Sequence, residues 1–330
     1  MKRGLVLGKF MPLHNGHIAL IEFGLNHCDE LIVLVSASYD ESIPGSQRLS
    51  WLEQAYENNP RVKPLLLIYD EAVLPNTSES SEGVSKLWAN YLKEHLPPID
   101  VIFASEAYGA YMGRFLNCEH VIFDEPRNIV PISATQIRNN PFAFWDFLPD
   151  VVKPYYTLKI CLYGTESTGK TSLAQRLAEH FNTVAAPEMA REILEHTRDC
   201  TPQDLVQIAE LHAHAINDKI KQANKLLFID TDVNITQSYS RFLFHEELIV
   251  PDWVTEANRC GLYLYLDVDA PYIQDGTRLN EPDRLKLNES HRQELESLGI
   301  GYVLIQGVDW ETRFLSAVKA VEQFIKPNRQ

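Results

Sequence analysis

"TLKICLYGTESTGKTSLAQRLAEHF", Thr157 to Phe181, decides the fold class of the second half of the chain. The apolar run "KICLY" predicts a strand, and "SLAQRLAEHF" has the apolar spacing of an amphipathic helix. Between them, "GTESTGKT" matches the pattern G-x-x-x-x-G-K-[ST]. The same letters could form an accidental glycine turn, but a strand before the loop and a helix after it favour a phosphate-binding P-loop.

A P-loop binds nucleotide phosphates through backbone N–H groups that converge at the start of a helix. Lys170 is then expected to reach the β- and γ-phosphates, and the Thr171 hydroxyl to bind Mg²⁺. We therefore predict an ATP site with Mg²⁺ and ATP as co-substrate. Its expected residues are Gly164, Glu166, Ser167, Thr168, Gly169, Lys170, Thr171 and Ser172.

An acidic residue ends the next strongly apolar strand. "LLFIDTD" ends in Asp230 and Asp232, about sixty residues after the P-loop, where a Walker-B carboxylate is expected. Such a carboxylate can hold the metal or accept a proton from a substrate hydroxyl. An aspartate at a strand end is also a common turn-former, so the P-loop upstream is what favours a functional role.

Two further polar segments offer candidate residues. "DGTRLNEPDR" contains Arg278 and Arg284 in a loop that could close over ATP like a lid. "PEMARE" places Glu188 and Arg191 after a short strand, where they could contact substrate hydroxyls. A solvated charged loop is the commoner fate of a segment like the first, and a solvated helix start explains the charges of the second equally well.

Strands and helices alternate outside this stretch as well. Apolar runs such as "RGLVLGKF", "ELIVLVSAS" and "DVIFASE" precede it, and "LYLYLDVD" and "GYVLIQG" follow it. This alternation predicts α/β architecture, with parallel sheets covered by helices on both faces. A second α/β series starts near Tyr155, so we expect two domains, residues 1–152 and 153–330, joined around "FLPDVVKPYY".

The first half opens with "GKFMPLHNGH", Gly8 to His17, which brings two histidines into one turn. Zinc binding lacks further ligands at a convincing spacing. A packed core pair is disfavoured by the turn residues Pro12, Asn15 and Gly16. The remaining interpretation is G-x-F-x-P-x-H-x-G-H, a signature of nucleotidyl-transferring α/β enzymes, which places His14 and His17 beside the N–H groups of a helix start.

A second motif favours the nucleotidyl-transfer interpretation. "ISATQIR", Ile132 to Arg138, lies near the end of the first domain and matches the partner motif of the same superfamily. Its hydroxyls can cap a helix and bind phosphate, and its arginine can bind the departing pyrophosphate. The expected residues of this ATP site are Gly8, Lys9, Phe10, His14, His17, Ser133, Thr135 and Arg138.

The composition is that of a globular protein with a negative surface. The 330 residues carry a net charge of -15, which argues against a nucleic-acid binder, and 45% are hydrophobic. The five cysteines are scattered without a CxxC pair, which indicates reduced thiols in a reducing compartment. With no long apolar run or signal peptide, we predict a cytoplasmic protein with no membrane partner.

The order of the two motif sets resembles that of the NadR family, bifunctional nicotinamide-nucleotide adenylyltransferases and ribosylnicotinamide kinases. The similarity extends over essentially the whole chain and includes "SQRLSWLEQ", "FASEAYG", "FIDTDVNITQ" and "DGTR". It implies a Rossmann-like nucleotidyltransferase domain followed by a P-loop kinase domain. The second would phosphorylate nicotinamide riboside to nicotinamide mononucleotide (NMN), and the first would convert NMN and ATP to NAD and pyrophosphate.

The resemblance also implies residue roles and partners. His14, His17, Arg138, Lys170 and Asp230 are the catalytic residues it implies. Positions near NMN are Ser36, Arg48, Trp51 and Trp88, although each tryptophan could equally be a core residue. Riboside-binding positions are Glu188, Arg191, Asp230 and Tyr239. The partners it implies are small molecules (ATP, NMN, nicotinamide riboside and NAD), with no nucleic acid, and a homo-oligomer is left open.

This sequence also departs from the family pattern. Some members carry an N-terminal helix-turn-helix that represses transcription, whereas the first strand here begins at residue 4, so we expect no DNA-binding module. Pro187 occupies a position where some relatives have a stacking aromatic, so either Tyr239 or Phe242 supplies the stacking or the affinity for the riboside is weaker. Two rivals remain, an adenylyltransferase with a phosphopantetheine-like acceptor fused to a small-metabolite kinase, and a non-catalytic sensor of NAD or ATP.

Overall fold

The computed structural model describes residues 1–76, 81–193, 200–269 and 279–326. The chain divides into two compact units, Met1–Tyr155 and Tyr156–Gln330. The expected boundary between residues 152 and 153 lies three residues before this division. Within the described ranges, no helix is long and apolar enough to cross a membrane.

The first unit alternates five strands with helices. The strands are β1 (Arg3–Gly8), β2 (Glu30–Ala37), β3 (Val62–Ile68), β4 (Val101–Ala104) and β5 (Glu119–Ile122). The helices are α1 (Asn15–Leu25), α2 (Gly45–Ala55), α3 (Glu82–His95), α4 (Tyr108–Leu116) and α5 (Ala134–Asn139). A 3₁₀ turn, Trp145–Phe147, and the short helix α6 (Lys153–Tyr156) follow.

The sheet of the first unit is fully parallel, in the order β3-β2-β1-β4-β5. Leu5, Val33 and Ile102 on the three central strands are completely buried, because helices cover both faces. The chain winds outward from β1 in both directions, so β1 and β4 form a topological switch point. Ligand crevices form at the carboxyl ends of such strands, and β1 leads there directly into the two-histidine turn.

The second unit repeats the alternation. Its strands are β6 (Leu158–Tyr163), β7 (Val184–Ala186), β8 (Leu226–Asp230), β9 (Leu262–Leu266) and β10 (Val303–Ile305). Its helices are α7 (Lys170–His180), α8 (Ala190–Ile193), α9 (Pro202–Lys219), α10 (Val233–Phe244), α11 (Asp252–Ala257), α12 (Glu281–Ser297) and α13 (Trp310–Ile325). A 3₁₀ turn, Ile220–Gln222, follows α9.

The sheet of the second unit is also parallel, in the order β10-β9-β6-β8-β7. The first strand of the unit, β6, therefore lies in the centre, between β8 and β9. Leu162 on β6 is in register with Asp230 at the end of β8. This register brings the P-loop, which follows β6, beside the carboxylate that the sequence singled out. The predicted parallel α/β architecture is confirmed in both units.

Candidate functional sites

A cavity of about 620 Å³ opens at the carboxyl ends of β1 and β4 in the first unit. Most of the residues predicted for ATP and NMN line it. They are Gly8, Lys9, Phe10, His14, His17, Ser36, Trp88, Ser133, Thr135 and Arg138. Two motifs more than one hundred residues apart in sequence thus contribute to one concave surface.

His14 is the N-cap of α1. Its Nδ1 accepts hydrogen bonds from the backbone N–H groups of Gly16 (3.1 Å) and His17 (3.4 Å). Because Nδ1 is an acceptor, the proton of the neutral ring is on Nε2, which leaves a donor for a ligand. A Cβ on Gly16 would lie 3.0 Å from Nδ1, so the glycine in this motif makes room for the imidazole.

His17 stacks on His14, with ring centroids 3.7 Å apart and planes 19° from parallel. Burial, and then the positive charge of Arg127, lower the pKa of His14 to about 4. Burial, with the neighbouring His14 and Arg127, also holds the pKa of His17 well below its usual value. Both rings are therefore neutral at pH 7 without substrate. Anionic phosphate groups beside them would raise both pKa values.

The zinc hypothesis receives no support from the structure. Over the described ranges, no group of three or more His, Cys, Asp or Glu side chains is arranged to hold a metal ion. The histidine pair therefore faces the cavity without a third metal ligand of these types.

Helix α5 carries the second motif to the same cavity. Ser133 caps it, accepting from the backbone N–H of Gln136 (3.3 Å), while the Gln136 side chain accepts from the backbone N–H of Ser133 (2.9 Å). Arg138 donates to the Met11 carbonyl and to Thr135 Oγ1. The guanidinium is thereby held against the loop that contains the histidines.

The structure does not bring Arg48 and Trp51 to the cavity surface. The fully buried Arg48 donates to the carbonyls of Lys9 (2.8 Å) and Ser36 (3.3 Å) and pairs with Glu41 (2.6 Å). Trp51 is in the core, edge-on to Tyr155, with ring centroids 5.3 Å apart. Both lie on the buried face of α2, and neither is among the residues that line this cavity, whereas the prediction had placed them near NMN.

Lys9 and Trp88 line the cavity, and each also has a structural contact. The ammonium group of Lys9 pairs with Glu41 at 2.7 Å. Trp88 is largely buried, donates its Nε1–H to the Pro75 carbonyl (3.1 Å) and packs edge-on against Tyr69. The core and the ligand-facing interpretations of Trp88 are therefore compatible with each other.

Sequence reasoning missed three charged residues of the cavity wall. Glu106, Asp124 and Arg127 all line it, and Arg127 pairs with Glu106 at 3.4 Å. Asp124 folds its loop by accepting from the backbone N–H groups of Asn128 (2.7 Å) and Ile129 (2.9 Å). The available signal was the charged segment "DEPRN" directly after a strand that ends at the switch-point edge.

In the second unit, close packing explains both P-loop glycines. Gly164 has φ +135°, and a Cβ there would lie 2.7 Å from the Leu266 carbonyl of β9. Gly169 has φ +86°, and its Cβ would lie 2.0 Å from the Trp310 ring. Side chains at these positions would clash and would strain the backbone.

Lys170, Thr171 and Asp230 meet where the P-loop enters α7. The Lys170 ammonium donates to the Thr165 carbonyl at 2.9 Å, inside the loop that would hold phosphates. The Thr171 hydroxyl donates to Asp230 Oδ2 at 2.5 Å, and Asp230 is buried. A hydroxyl and a buried carboxylate in contact are the hard oxygen ligands that Mg²⁺ prefers, so the residues present fit this ion.

Asp232 has a different role from Asp230. It caps α10, accepting from the N–H groups of Asn234 (3.0 Å) and Ile235 (3.2 Å), and also accepts from the Tyr263 hydroxyl (2.7 Å). Burial raises its pKa to about 6. Of the two strand-end aspartates, the one that contacts the P-loop threonine is therefore Asp230.

Arg284 is not a solvated surface charge, which was one of the two interpretations of its segment. It is buried on α12, and its Nε donates to the Glu166 backbone carbonyl in the P-loop (3.0 Å). The Glu166 side chain accepts from the backbone N–H of Leu279 (2.7 Å). Arg284 therefore supports the shape of the P-loop, because it binds main chain. Arg278 lies outside the described residues.

Two of the predicted riboside residues, Glu188 and Tyr239, come after strands whose carboxyl ends lie at the same edge of the sheet. Glu188 follows β7, and Tyr239 is on α10, which follows β8. Burial, and then the negative charges of Glu166 and Glu188, raise the pKa of Tyr239 well above its usual value. Tyr239 therefore lies close enough to the carboxylates of Glu166 and Glu188 for their negative charge to act on its hydroxyl. The side chain of Arg191 lies outside the described part of the structure.

Arg313 is a second arginine that supports the P-loop, and no sequence motif predicted this role. It is buried on α13 and donates to the carbonyls of Thr168 (3.0 Å), Asp267 (2.9 Å) and Gly307 (2.7 Å). It also pairs with the Asp269 carboxylate. Its guanidinium therefore joins the P-loop to the segments that follow β9 and β10.

Two family models match the chain, one in each unit. The model described as "Cytidylyltransferase-like" matches residues 5–140. The model described as "AAA domain" matches residues 159–313. The first interval contains both motifs of the cavity, and the second contains the P-loop, Asp230 and Arg313.

Individual relatives match one or both units. The "Trifunctional NAD biosynthesis/regulator protein NadR" of Escherichia coli (strain K12) is 31% identical over 350 residues, which cover 99% of this chain and 84% of that protein. The "Nicotinamide-nucleotide adenylyltransferase" of Thermococcus onnurineus is 29% identical over 141 residues, 42% of this chain and 71% of that protein. A crystal structure of NadR protein in complex with NR has the same fold, with TM-score 0.79, 22% identity and coverage of 100% of this chain and 97% of that one.

Proposed function

The chain belongs to the NadR family, and on that premise we propose that it catalyses two consecutive ATP-dependent steps of NAD synthesis. The second unit phosphorylates nicotinamide riboside to NMN. The first unit then transfers the adenylyl group of ATP to NMN, which gives NAD and pyrophosphate. The product of one unit is thus the substrate of the other.

One observation carries the proposal, namely that the chain has a candidate phosphate-binding site in each of its two units and matches relatives named for NAD synthesis. The relative from Escherichia coli, named for NAD biosynthesis, matches 99% of this chain. The relative from Thermococcus onnurineus, named a nicotinamide-nucleotide adenylyltransferase, matches only 42%. The cavity with two histidines and the P-loop with its buried aspartate are the corresponding sites for adenylyl transfer and phosphorylation.

In the phosphorylation step, a riboside hydroxyl attacks the γ-phosphorus of ATP, and ADP leaves. Lys170 neutralises charge on the β- and γ-phosphates, and Asp230 takes the proton of the attacking hydroxyl. Thr171 and Asp230 would hold Mg²⁺, which supplies further charge neutralisation when bound. Glu188, Arg191 and Tyr239 bind the riboside in this proposal.

In the adenylyl-transfer step, a phosphate oxygen of NMN attacks the α-phosphorus of ATP, and pyrophosphate leaves. No protein nucleophile is needed, so the residues position the reactants and stabilise charge. His14 donates from Nε2 to the triphosphate, His17 stacks behind it, and Arg138 binds the departing pyrophosphate. Ser36 and Trp88 line the part of the wall assigned to NMN.

The partners in this proposal are small molecules. They are ATP with Mg²⁺, nicotinamide riboside, NMN and NAD. A net charge of -15 supports the expectation that nucleic acid is not a partner. Scattered cysteines without a CxxC pair support a reducing, cytoplasmic location.

Product analysis with two single variants tests the division of labour. We expect the wild-type protein to convert nicotinamide riboside and Mg-ATP to NMN and NAD. Lys170→Ala should reduce riboside phosphorylation by about 100-fold or more, because it removes charge stabilisation at the transferred phosphoryl group. The same variant should still convert supplied NMN to NAD.

His17→Ala is the reciprocal variant. It should make NMN from riboside at the wild-type rate and lose NAD formation from supplied NMN. Loss of both steps in both variants would contradict the assignment of one step to each unit. Failure of NMN as acceptor, with adenylation of a phosphopantetheine-like compound, would support the rival acceptor.

A further inference from the structure

An exposed tryptophan lies against the P-loop. Trp310 is the first residue of α13, and 51% of its surface is exposed. A Cβ on Gly169 would be 2.0 Å from its Cη2 and 2.2 Å from its Cζ3. The benzene edge of the indole therefore sits on the glycine that precedes Lys170, while half of the residue remains open to solvent.

The start of the helix that carries this ring is held by neighbouring side chains. Asp309 caps α13 by accepting from the backbone N–H of Thr312 (2.8 Å) and from its hydroxyl (2.7 Å). The guanidinium of Arg313 lies 5.7 Å from the Trp310 ring centroid and is itself bonded to the Thr168 carbonyl of the P-loop. A ring held in this way loses little conformational freedom when a ligand stacks on it.

The ribose and base of a nucleotide bound at the P-loop extend away from the loop, and this direction is what makes the Trp310 ring a candidate contact. The phosphates bind at Lys170 and Thr171, so the ribose and base extend from the first turn of α7. Helices α7 and α13 are in contact, since Arg176 in the second turn of α7 pairs with Glu311 (2.6 Å) and lies 3.8 Å from the Phe314 ring centroid. At the start of α13, Trp310 and Val308, which is 77% exposed, present apolar surface to solvent.

We propose that Trp310 is the stacking platform for the adenine base of the ATP bound by the P-loop. The proposal rests on the proposed kinase step, because it concerns the phosphoryl donor of that step. Aromatic stacking accepts any base, since every base has a π face. Trp310 therefore contributes affinity for a purine nucleotide over inorganic phosphates, without selecting adenine over guanine.

The test is the kinetics of riboside phosphorylation by Trp310→Ala. Loss of one base–aromatic stack should raise KM for ATP about tenfold. The value of kcat should stay within about twofold, because the stack is present in the ground and transition states alike. Trp310→Phe should restore KM to within about threefold of wild type.

Inorganic tripolyphosphate, which has no base, separates stacking from support of the loop. Its inhibition constant against ATP should be the same in Trp310→Ala and in wild type. Trp253→Ala is the matched control, because Trp253 is also partly exposed in this unit but packs against the His214 ring, with ring centroids 4.7 Å apart. It should leave KM for ATP unchanged.

Two outcomes would overturn the proposal. An unchanged KM for ATP in Trp310→Ala places the base elsewhere, and an equal weakening of ATP and tripolyphosphate makes the ring a support of the loop alone. If the wild-type protein phosphorylates no riboside, the kinase proposal fails. Photolabelling with 8-azido-ATP then tests separately whether the base of ATP lies against Trp310. Label in residues 307–313 supports the platform, and label confined to residues 1–155 refutes it.

Discussion

The two ring nitrogens of His14 have different roles, Nδ1 in the cap of helix α1 and Nε2 in the cavity. Its Nδ1 accepts from two backbone N–H groups of α1, which fixes the ring and leaves the proton on Nε2 for a phosphate oxygen. The ring stacked on it, His17, is also neutral because burial lowers its pKa. One helix cap therefore determines both the position and the tautomer of the group assigned to ATP.

Gly16→Ala should selectively damage this arrangement. Its Cβ would lie 3.0 Å from Nδ1 and Cε1 of His14 and would push the ring off its two N–H donors. We expect adenylyl transfer to fall at least tenfold, and stability to fall by about 1 kcal/mol from loss of the cap. Riboside phosphorylation should be unchanged. Steady-state rates of both steps and urea unfolding measure these effects.

Gly83→Ala is the matched control for Gly16→Ala. Gly83 lies in α3 of the same unit, and the nearest atom to its Cβ would be Ser81 Oγ at 4.0 Å. Alanine is the better helix former, so stability should stay or rise by up to about 1 kcal/mol. Adenylyl transfer at the wild-type rate in Gly16→Ala would show that the His14 cap is not required.

Helix α9 contains a buried histidine to which no ligand-binding role has been assigned. His212 is buried, and its Nε2 has no hydrogen-bond partner in the portion of the chain that the structure describes. Burial lowers its pKa to about 4. Above pH 6.5 the side chain is neutral in both the folded and the unfolded protein, so its burial costs no stability through proton binding. Between pH 6.5 and 4 the unfolded chain binds a proton that the folded protein does not, so the free energy of unfolding falls as the pH falls.

His212→Leu should therefore stabilise the protein, and more so in acid. At pH 7 we expect a gain of about 1 kcal/mol, because a buried polar atom is removed. At pH 5 the advantage should grow by about 2 kcal/mol, at about 1.4 kcal/mol per pH unit below 6.5. Urea unfolding at both pH values measures the difference. His214→Gln, at an exposed position of the same helix, should not change it.

For the whole molecule, the main feature is the presence of two complete sheets. Each unit has five parallel strands, its own buried core and its own candidate site. Among the described residues, all strands of each sheet come from a single unit. This organisation accounts for a chain in which two reactions can be assigned to separate sites.

Residues 1–156 should therefore fold and work alone. The fragment keeps the first sheet, all lining residues of its cavity and the whole of α6. We expect cooperative thermal unfolding by circular dichroism and NAD formation from supplied NMN within about tenfold of the intact chain. An unfolded or insoluble fragment would show that the first unit needs the second for its stability.

The sequence by itself determined the α/β class, the two-part organisation and the residues of the local motifs. A P-loop, a helix cap and a strand-end carboxylate are recognisable because strand, turn and helix start are adjacent in the chain. His14, Lys170 and Asp230 could be named for this reason.

Only the tertiary structure decided the roles of the long side chains. Arg48, Arg284 and Arg313 all bind backbone carbonyls around the two sites, and Trp310 meets a P-loop glycine 141 positions earlier. An arginine that binds a ligand and one that binds main chain look alike in sequence. Which carbonyl a guanidinium reaches depends on how distant elements pack, and packing is a property of the whole fold.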